Sequence, residues 1–502
     1  MAVLQHNSGR VPFFCKTDCM KGGLNILGIR NPAESIFTRV LPGLNNVTLR
    51  IRYYSFYCWI ISLYYETHEK HSKADFNGFI RRAEYLLAVI NASNENRGGI
   101  PGITWAIEGY EESEGNGVDI ALGADREPGK STYWANPGGI LQAYYIASLL
   151  ELGILGYVKD DNSMYNITDE EEMPELSGAV LADAFAESVG EKNGELFVEC
   201  VEKGFVSQNE IETLARPFFM REMTDFPEEA RLLTELLVQK DHPTWEEESF
   251  HRRDTIRYFL EYCAASPADI SEQGFAEYMA QRCKSEAQPD ATLQAWYYYY
   301  LNDQWQYLVT SIFTDLLSRL AESGIARVDS LTDEMERDIA APFKSETIDE
   351  LLHKEIKTID AGDIESAPAN AFCRLVALVA DNGVNYCGIM GELGINTVDY
   401  TGFAERMMAS GQRLKDYILD FIQEDIIYRH YAISFMKQQY THIATQKFIL
   451  ENDTIRFVAN YPATHTSPRI GSLKGFLEDL GYLAEGEVTE AGINLIKTLS
   501  HD

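Results

Sequence analysis

The chain is 502 residues long, too much for one ordinary core, and its length points to about two to four domains. Hydrophobic residues make up 45% of it and aromatic residues 12%, a composition that excludes global disorder. The formal net charge of -34 excludes a protein that coats nucleic acid with its whole surface, because phosphate backbones would be repelled.

The charge is unevenly spread. Residues 1–100 hold twelve Lys or Arg and seven Asp or Glu, a local +5, which leaves -39 on residues 101–502. Contact with an anion therefore belongs first to the N-terminal fifth, where Arg30, Arg39, Arg50, Arg52, Arg81 and Arg82 stand. The alternative is that these arginines pair with the acidic remainder of the same molecule. No run reaches the roughly 18 uncharged apolar residues that cross a bilayer. The N-terminus lacks the basic-then-apolar order of a secretory leader, so a cytoplasmic protein without membrane contact is expected. Of the eight cysteines only Cys15 and Cys19 are close, and no second pair or nearby His completes a zinc set. Reduced thiols are expected.

In chain order, residues 1–105 read as a basic, aromatic-rich helical region. Asn31 and Pro32 open a helix that Leu41, Pro42 and Gly43 break. Over Leu49–Glu66, Tyr53, Phe56, Tyr57, Ile60, Leu63 and Tyr64 recur at three- and four-residue steps, which predicts a helix packed on more than one face. Arg50 and Arg52 lie in its first turns, where acids would suit the helix dipole better, and this misfit marks them as meeting an anion, internal or external. Residues 106–190 read as a loop with a strand over Val118–Leu122, then a helix over Ile140–Leu152, Gly153 as its left-handed cap, a hairpin, and Thr168 capping the next helix.

Residues 191–320 read as a helical domain, with amphipathic helices over Ala230–Lys240 and Thr255–Ala264 and a long aromatic helix over Ala291–Leu320. Its Trp296, Tyr297, Tyr300, Trp305, Tyr307 and Phe313 suit a core better than a base-stacking platform, which would need a cationic track. Residues 321–370 form an acidic hinge, 371–440 return to helix, with one long or broken helix over Gly402–Lys447, and 441–502 close the chain. In that last stretch Ser467 caps, and Pro468 opens, a helix over Ile470–Leu480.

One pattern occurs twice. The first copy runs Leu149, Leu150, Glu151, Leu152, Gly153, Ile154, Leu155, then Tyr165, Asn166, Ile167, Thr168, Asp169, with Leu181 and Phe185 beyond. The second runs Phe476, Leu477, Glu478, Asp479, Leu480, Gly481, Tyr482, Leu483, then Glu487, Val488, Thr489, Glu490, Ala491, Gly492, with Leu495 and Ile496 beyond. Both resemble the closing half of a winged helix, over residues about 138–190 and 441–502. The resemblance implies modules that bind DNA or protein, the second presenting Arg469, Ser472 and Lys474 from its helix to a groove or a partner. Two such modules on an acidic helical chain are similar in plan to kleisin-type subunits of chromosome-organising complexes. The basic, aromatic stretch Leu41–Trp59 has no place in that family's pattern, so no residue roles carry over. Leu41–Trp59 itself resembles uncharacterised bacterial proteins of anti-phage loci, which implies a setting in antiviral defence and names no activity.

Motifs for chemistry fail on spacing. Gly123 to Thr132, with Gly129, Lys130 and Ser131, looks like a phosphate loop, but five residues separate its glycines instead of four, and Pro128 cannot donate an N–H. His68 and His71 have no further metal ligands, and His251, Arg252, Arg253, Asp254 match a kinase loop whose other parts are absent. Asp349, Glu355 and Lys357 have nuclease-like spacing on a helical stretch, Thr347–Thr358, the wrong scaffold to converge a metal site.

The expected fold is mainly α, a multidomain helical protein with two winged-helix-like modules carrying small β-hairpins. The expected function is a non-catalytic adaptor or scaffold that docks protein partners of a nucleic-acid-acting complex, such as an ATPase or nuclease, with a second copy of the chain as a further partner. One alternative is a direct DNA reader with Arg50, Arg52, Arg81 and Arg82 on phosphates and Arg469, Ser472 and Lys474 at the groove. The other is an enzyme without a recognisable motif. No catalytic residue, metal ligand or cofactor is assigned.

Overall fold

The computed structural model describes residues 25–69, 71–94, 97–124, 136–159, 161–174, 176–239, 252–265, 270–385, 398–441 and 444–501. They are mainly helical, and the chain divides into two compact units, the first from Met1–Ile36 with Met279–Thr466, the second from Phe37–Tyr278 with Ser467–Asp502. The linear segments drawn above cut across this division. In particular, residues 441–502 are shared between the units: the strands Phe448–Glu451 and Thr454–Phe457 belong to the first and the closing helices to the second.

The first unit is organised by the helix Ala291–Ser323. Asp290 caps its start by accepting the Leu293 N–H at 2.8 Å, and it stops at Gly324, whose φ of 71° is the left-handed geometry glycine tolerates. Leu301, Trp305, Leu308, Ile312, Phe313, Leu316 and Leu320 are buried along it, so the aromatic stripe is core. Residues 321–370, read above as an acidic hinge, add a strand, a helix over Val328–Ala340 and a helical stretch from Ile348 to Thr358 to the same core. Leu331, Met335, Ile339, Ile348, Leu351 and Leu352 point inward while Asp333, Glu334 and Asp349 face water, so high charge hid an amphipathic pattern. The stretch 402–447 is broken into Tyr400–Met408 and the helical run from Leu414 to Thr441. Strand Thr454–Phe457 lies between Ile325–Arg327 and Phe448–Glu451 in an antiparallel sheet, with Ile455 turned inward and Arg456 outward.

The second unit is built on Arg52–Thr67 and Lys73–Ala92. Every residue from Arg52 to Ile61 is buried, as the all-round apolar pattern requires. Its rings stack outward to later elements: Tyr53 lies on Tyr145 with centroids 5.0 Å apart, and Trp59 meets Phe185 at 5.2 Å. Ser72 caps the second helix by accepting the Asp75 N–H at 3.1 Å. The strand expected over Val118–Leu122 is only Val118–Asp119. Asp119 accepts the Leu122 N–H at 2.7 Å and turns Ile120–Ala124 into a short helix.

Candidate functional site

The repeated pattern has one wiring in both copies, and both lie in the second unit. In the first copy the helix Ile146–Glu151 runs into Gly153 at φ 71°, followed by the antiparallel pair Leu155–Val158 and Asp161–Ile167. The second has the helix Ile470–Asp479, Gly481 at φ 78°, and the pair Leu483–Ala484 and Glu487–Val488. The Thr168 hydroxyl donates to the Gly153 carbonyl and the Thr489 hydroxyl to the Gly481 carbonyl, each at 2.7 Å. The same oxygens accept N–H groups from Gly178 at 3.0 Å and Gly492 at 3.1 Å. Each of these glycines lies in the first turn of a helix, against a carbonyl: an added Cβ would lie 2.1 Å from the Ile154 oxygen at Gly178 and 2.4 Å from the Tyr482 oxygen at Gly492. Nine residues separate Thr168 from Gly178 where two separate Thr489 from Gly492, an insertion of seven, and Ser177, not Thr168, supplies the N-cap there.

Between the two copies passes the segment from Leu41 to Arg50. From the first copy, the Glu151 carboxylate accepts the Gly43 N–H at 2.7 Å, and the Tyr144 carbonyl accepts from the Asn45 amide at 2.6 Å. From the second, Arg469 donates to the Leu41 carbonyl at 2.8 Å and Ser472 to the Asn45 carbonyl at 2.6 Å. Asp479 stands where Glu151 stands relative to the capping glycine, and it pairs with Arg50 at 2.8 Å. The helix also comes close to the segment's backbone: a Cβ added at Gly475 would lie 2.9 Å from the Leu49 oxygen. Ser467 does not cap this helix, because its hydroxyl donates to Asn46 and Glu272; Arg469 at φ 67° takes the cap position, and Glu272 accepts the Gly471 N–H at 3.3 Å.

The arginines chosen as anion contacts are placed as follows. Arg50 is buried between Asp479 and the Gly98 carbonyl. Arg52 is fully buried, paired with Glu229 at 3.1 Å and donating to the carbonyls of Pro217 and Phe219. Arg81, also buried, donates to the carbonyls of Ala124 and Asn136. Arg82 is half-buried and lines a cavity with Lys73 and His68. Lys474 is half-buried and sits 3.8 Å from Glu478. The structure therefore brings Arg50, Arg469 and Ser472 together around one peptide segment, and Arg81 and Arg82 around one cavity. Arg52 belongs to neither group.

Two buried carboxyls in this unit are displaced from their ordinary range. Burial raises Glu84 to about 7, against the N–H groups of Ile140 and Leu141, the Tyr57 hydroxyl and the Arg81 charge that favour its ionised form. Burial likewise raises Asp479 to about 7, opposed by Arg50. The Asp479 Oδ2 and the nearby Tyr145 hydroxyl are both buried without a partner among the described residues, which accords with a carboxyl that resists ionisation.

The other motifs are occupied structurally. Glu355 accepts the N–H groups of Lys344 and Ser345, and His68 stacks on Tyr64 at 4.6 Å. Arg252 is fully buried and donates to the carbonyls of Pro42, Leu236 and Leu237; His251 lies outside the described residues, as do Cys15, Cys19 and residues 125–132 of the phosphate-loop-like string. The five described cysteines are buried, and none of them is in a disulfide. Among the described residues no group of three His, Cys, Asp or Glu is placed to hold a metal ion, and no helix is long and apolar enough to cross a membrane.

Sequence reading missed a polar cluster in the first unit. Buried Asp303 accepts His465 Nδ1 at 2.6 Å together with the N–H and hydroxyl of Thr466, and the imidazole stacks on Tyr307 at 4.0 Å. Arg30 donates to the Thr464 hydroxyl at 3.0 Å and to the His465 carbonyl at 3.3 Å, so this arginine too serves its own chain. No local signal links positions 162 residues apart.

In comparisons with protein-family models, curated proteins and solved structures, none matches this chain.

Proposed function

We propose that the chain is an adaptor or scaffold whose two winged-helix-type modules dock protein, serving a nucleic-acid-acting complex with antiviral defence as its setting. The observation that carries this reading is what the second module's helix grips. Arg469 and Ser472, the residues such a helix would present, hold backbone carbonyls of a peptide segment rather than standing free for phosphates. The net charge of -34 adds to this, because it opposes close approach of a duplex and favours basic protein surfaces. An ATPase or nuclease of the complex, or a second copy of the chain, is the partner this arrangement suits, and the cytoplasm is its proposed location.

Affinity capture on the full chain from its host, paired with a duplex gel shift at two salt concentrations, tests the reading. A partner retained at moderate salt, without duplex binding, supports docking. Recovery of no partner, or duplex binding that falls steeply with salt, overturns it in favour of the direct DNA reader. One observation favours that second reading: Lys73, Arg81 and Arg82 share one concave surface.

A further inference from the structure

We propose that His465 is a nucleophilic acceptor site, whose Nε2 takes a phosphoryl group from a donor of the phosphoramidate class; the site lies in the first unit and is independent of the docking reading. The imidazole is held on two sides. Its Nδ1 lies 2.6 Å from Oδ2 of Asp303, a residue only 3% exposed, and its face stacks on Tyr307 with ring centroids 4.0 Å apart and 13° between the planes.

The partners of Asp303 fix the tautomer of the ring. An ionised carboxylate can only accept, and its Oδ1 already takes the Thr466 N–H and hydroxyl, each at 2.7 Å, with the Gln306 amide at 3.3 Å. The His465 Nδ1 is therefore the donor to Oδ2, which in the neutral ring leaves the lone pair on Nε2. Among the described residues nothing hydrogen-bonds to Nε2, and the side chain is 24% exposed, so this nitrogen opens to solvent.

Two considerations select the chemistry. No hydroxyl or thiol of the described residues hydrogen-bonds to Nε2, so the ring is not a base that activates a neighbouring side chain, and its own nitrogen is the nucleophile. An acyl group on an exposed imidazole is quickly lost to water, whereas a phosphoryl group persists long enough to be passed on. In the step, Nε2 attacks phosphorus, the P–N bond of the N-protonated donor breaks, and ammonia leaves with the bonding pair. The ring keeps its Nδ1 proton and gains a positive charge, which faces the Asp303 carboxylate. Arg30 adds a cation on the same segment: it donates to the Thr464 hydroxyl at 3.0 Å and to the His465 carbonyl at 3.3 Å, with Glu34 3.5 Å from its Nε.

Phosphoramidate applied to the full chain is the probe, with phosphorus resonance to tell the Nε2 isomer from the Nδ1 isomer and peptide mass spectrometry to locate the label. His353 is the internal standard, since its side chain is 52% exposed and lies 3.5 Å from an exposed Asp349. His465 is expected to be labelled about tenfold faster than His353 despite its lower exposure, and at Nε2 alone. His465→Gln should remove that label. Asp303→Asn keeps an oxygen for the Thr466 donors but turns its NH2 towards Nδ1, which moves the ring proton to Nε2; labelling should fall to the His353 rate while helical circular dichroism is retained. Labelling of His465 no faster than that of His353, an Nδ1 isomer at His465, or an unchanged rate in folded Asp303→Asn would overturn the proposal, whatever the outcome of partner capture. The comparison of the two histidines in the wild-type chain decides the case even if the variant does not fold.

Discussion

Arg52→Met separates a buried structural arginine from a surface anion contact. In the wild-type chain Arg52 Nε and Nη2 meet the Glu229 carboxylate at 3.1 to 3.2 Å, Nη1 donates to the carbonyls of Pro217 and Phe219, and the guanidinium lies 3.7 Å from the Phe226 ring centroid. Both side chains of the pair have no solvent exposure. Methionine keeps an apolar stem beneath the ring but leaves Glu229 buried with only the Ser55 hydroxyl as partner. Removing one member of a buried ion pair costs about 3 to 5 kcal/mol. Two orphaned carbonyls add about 1 kcal/mol or more each. Against the roughly 5 to 15 kcal/mol that holds a domain together, the second unit of the variant is expected to unfold at far lower urea, followed by circular dichroism and tryptophan fluorescence. Arg52→Met with Glu229→Leu should recover part of the loss, since the uncompensated charge is gone while the carbonyls stay unpaired. An Arg52→Met variant within about 1 kcal/mol of wild type would refute the reasoning, because only a solvated arginine is that dispensable.

The remaining predictions concern the repeat and the buried acids. Thr489→Val and Thr168→Val, which keep shape but lose the hydroxyl, should each destabilise the second unit by about 1 to 3 kcal/mol in chemical denaturation, and a neutral result at either would deny the shared wiring. Gly492→Ala and Gly178→Ala should cost a similar amount through the clash with a carbonyl, read as a lowered melting temperature. Glu84 and Asp479 have folded-state values of about 7, above their ordinary 4.5 and 3.8, so the folded state binds their protons more tightly than the unfolded one. Their contribution is fully present below about pH 4 and is lost as pH rises through 7, at most about 1.4 kcal/mol per pH unit for each group. The melting temperature should fall between pH 5 and 8, and Asp479→Asn should flatten that slope; an unflattened slope would assign it to general charge repulsion instead.

How much of this was legible in the sequence varies by the distance over which each feature is decided. The all-round apolar pattern from Tyr53 to Tyr64 and the twin Leu-Gly-apolar-Leu strings are local, and the corresponding helices and hairpins lie within a few residues of their expected ends. Val118–Leu122 went astray because one carboxylate, Asp119, offered the backbone a helical start that strand propensity does not register. The twin copies were visible, but the match of Gly178 to Gly492 was not, since seven residues inserted after Thr168 hide it. Contacts such as Arg50 with Asp479 join residues more than four hundred positions apart, and nothing local marks them.

Arginine shows most clearly why charge alone misled the choice of site. A guanidinium offers five N–H donors in a planar fork, and carbonyls satisfy that fork as well as phosphates do. Arg81, Arg252 and Arg469 each donate to main-chain carbonyls, fixing loops and helix ends at positions where no acid is required. Arg50 and Arg52 close on Asp479 and Glu229, so part of the N-terminal excess of +5 is neutralised inside the second unit.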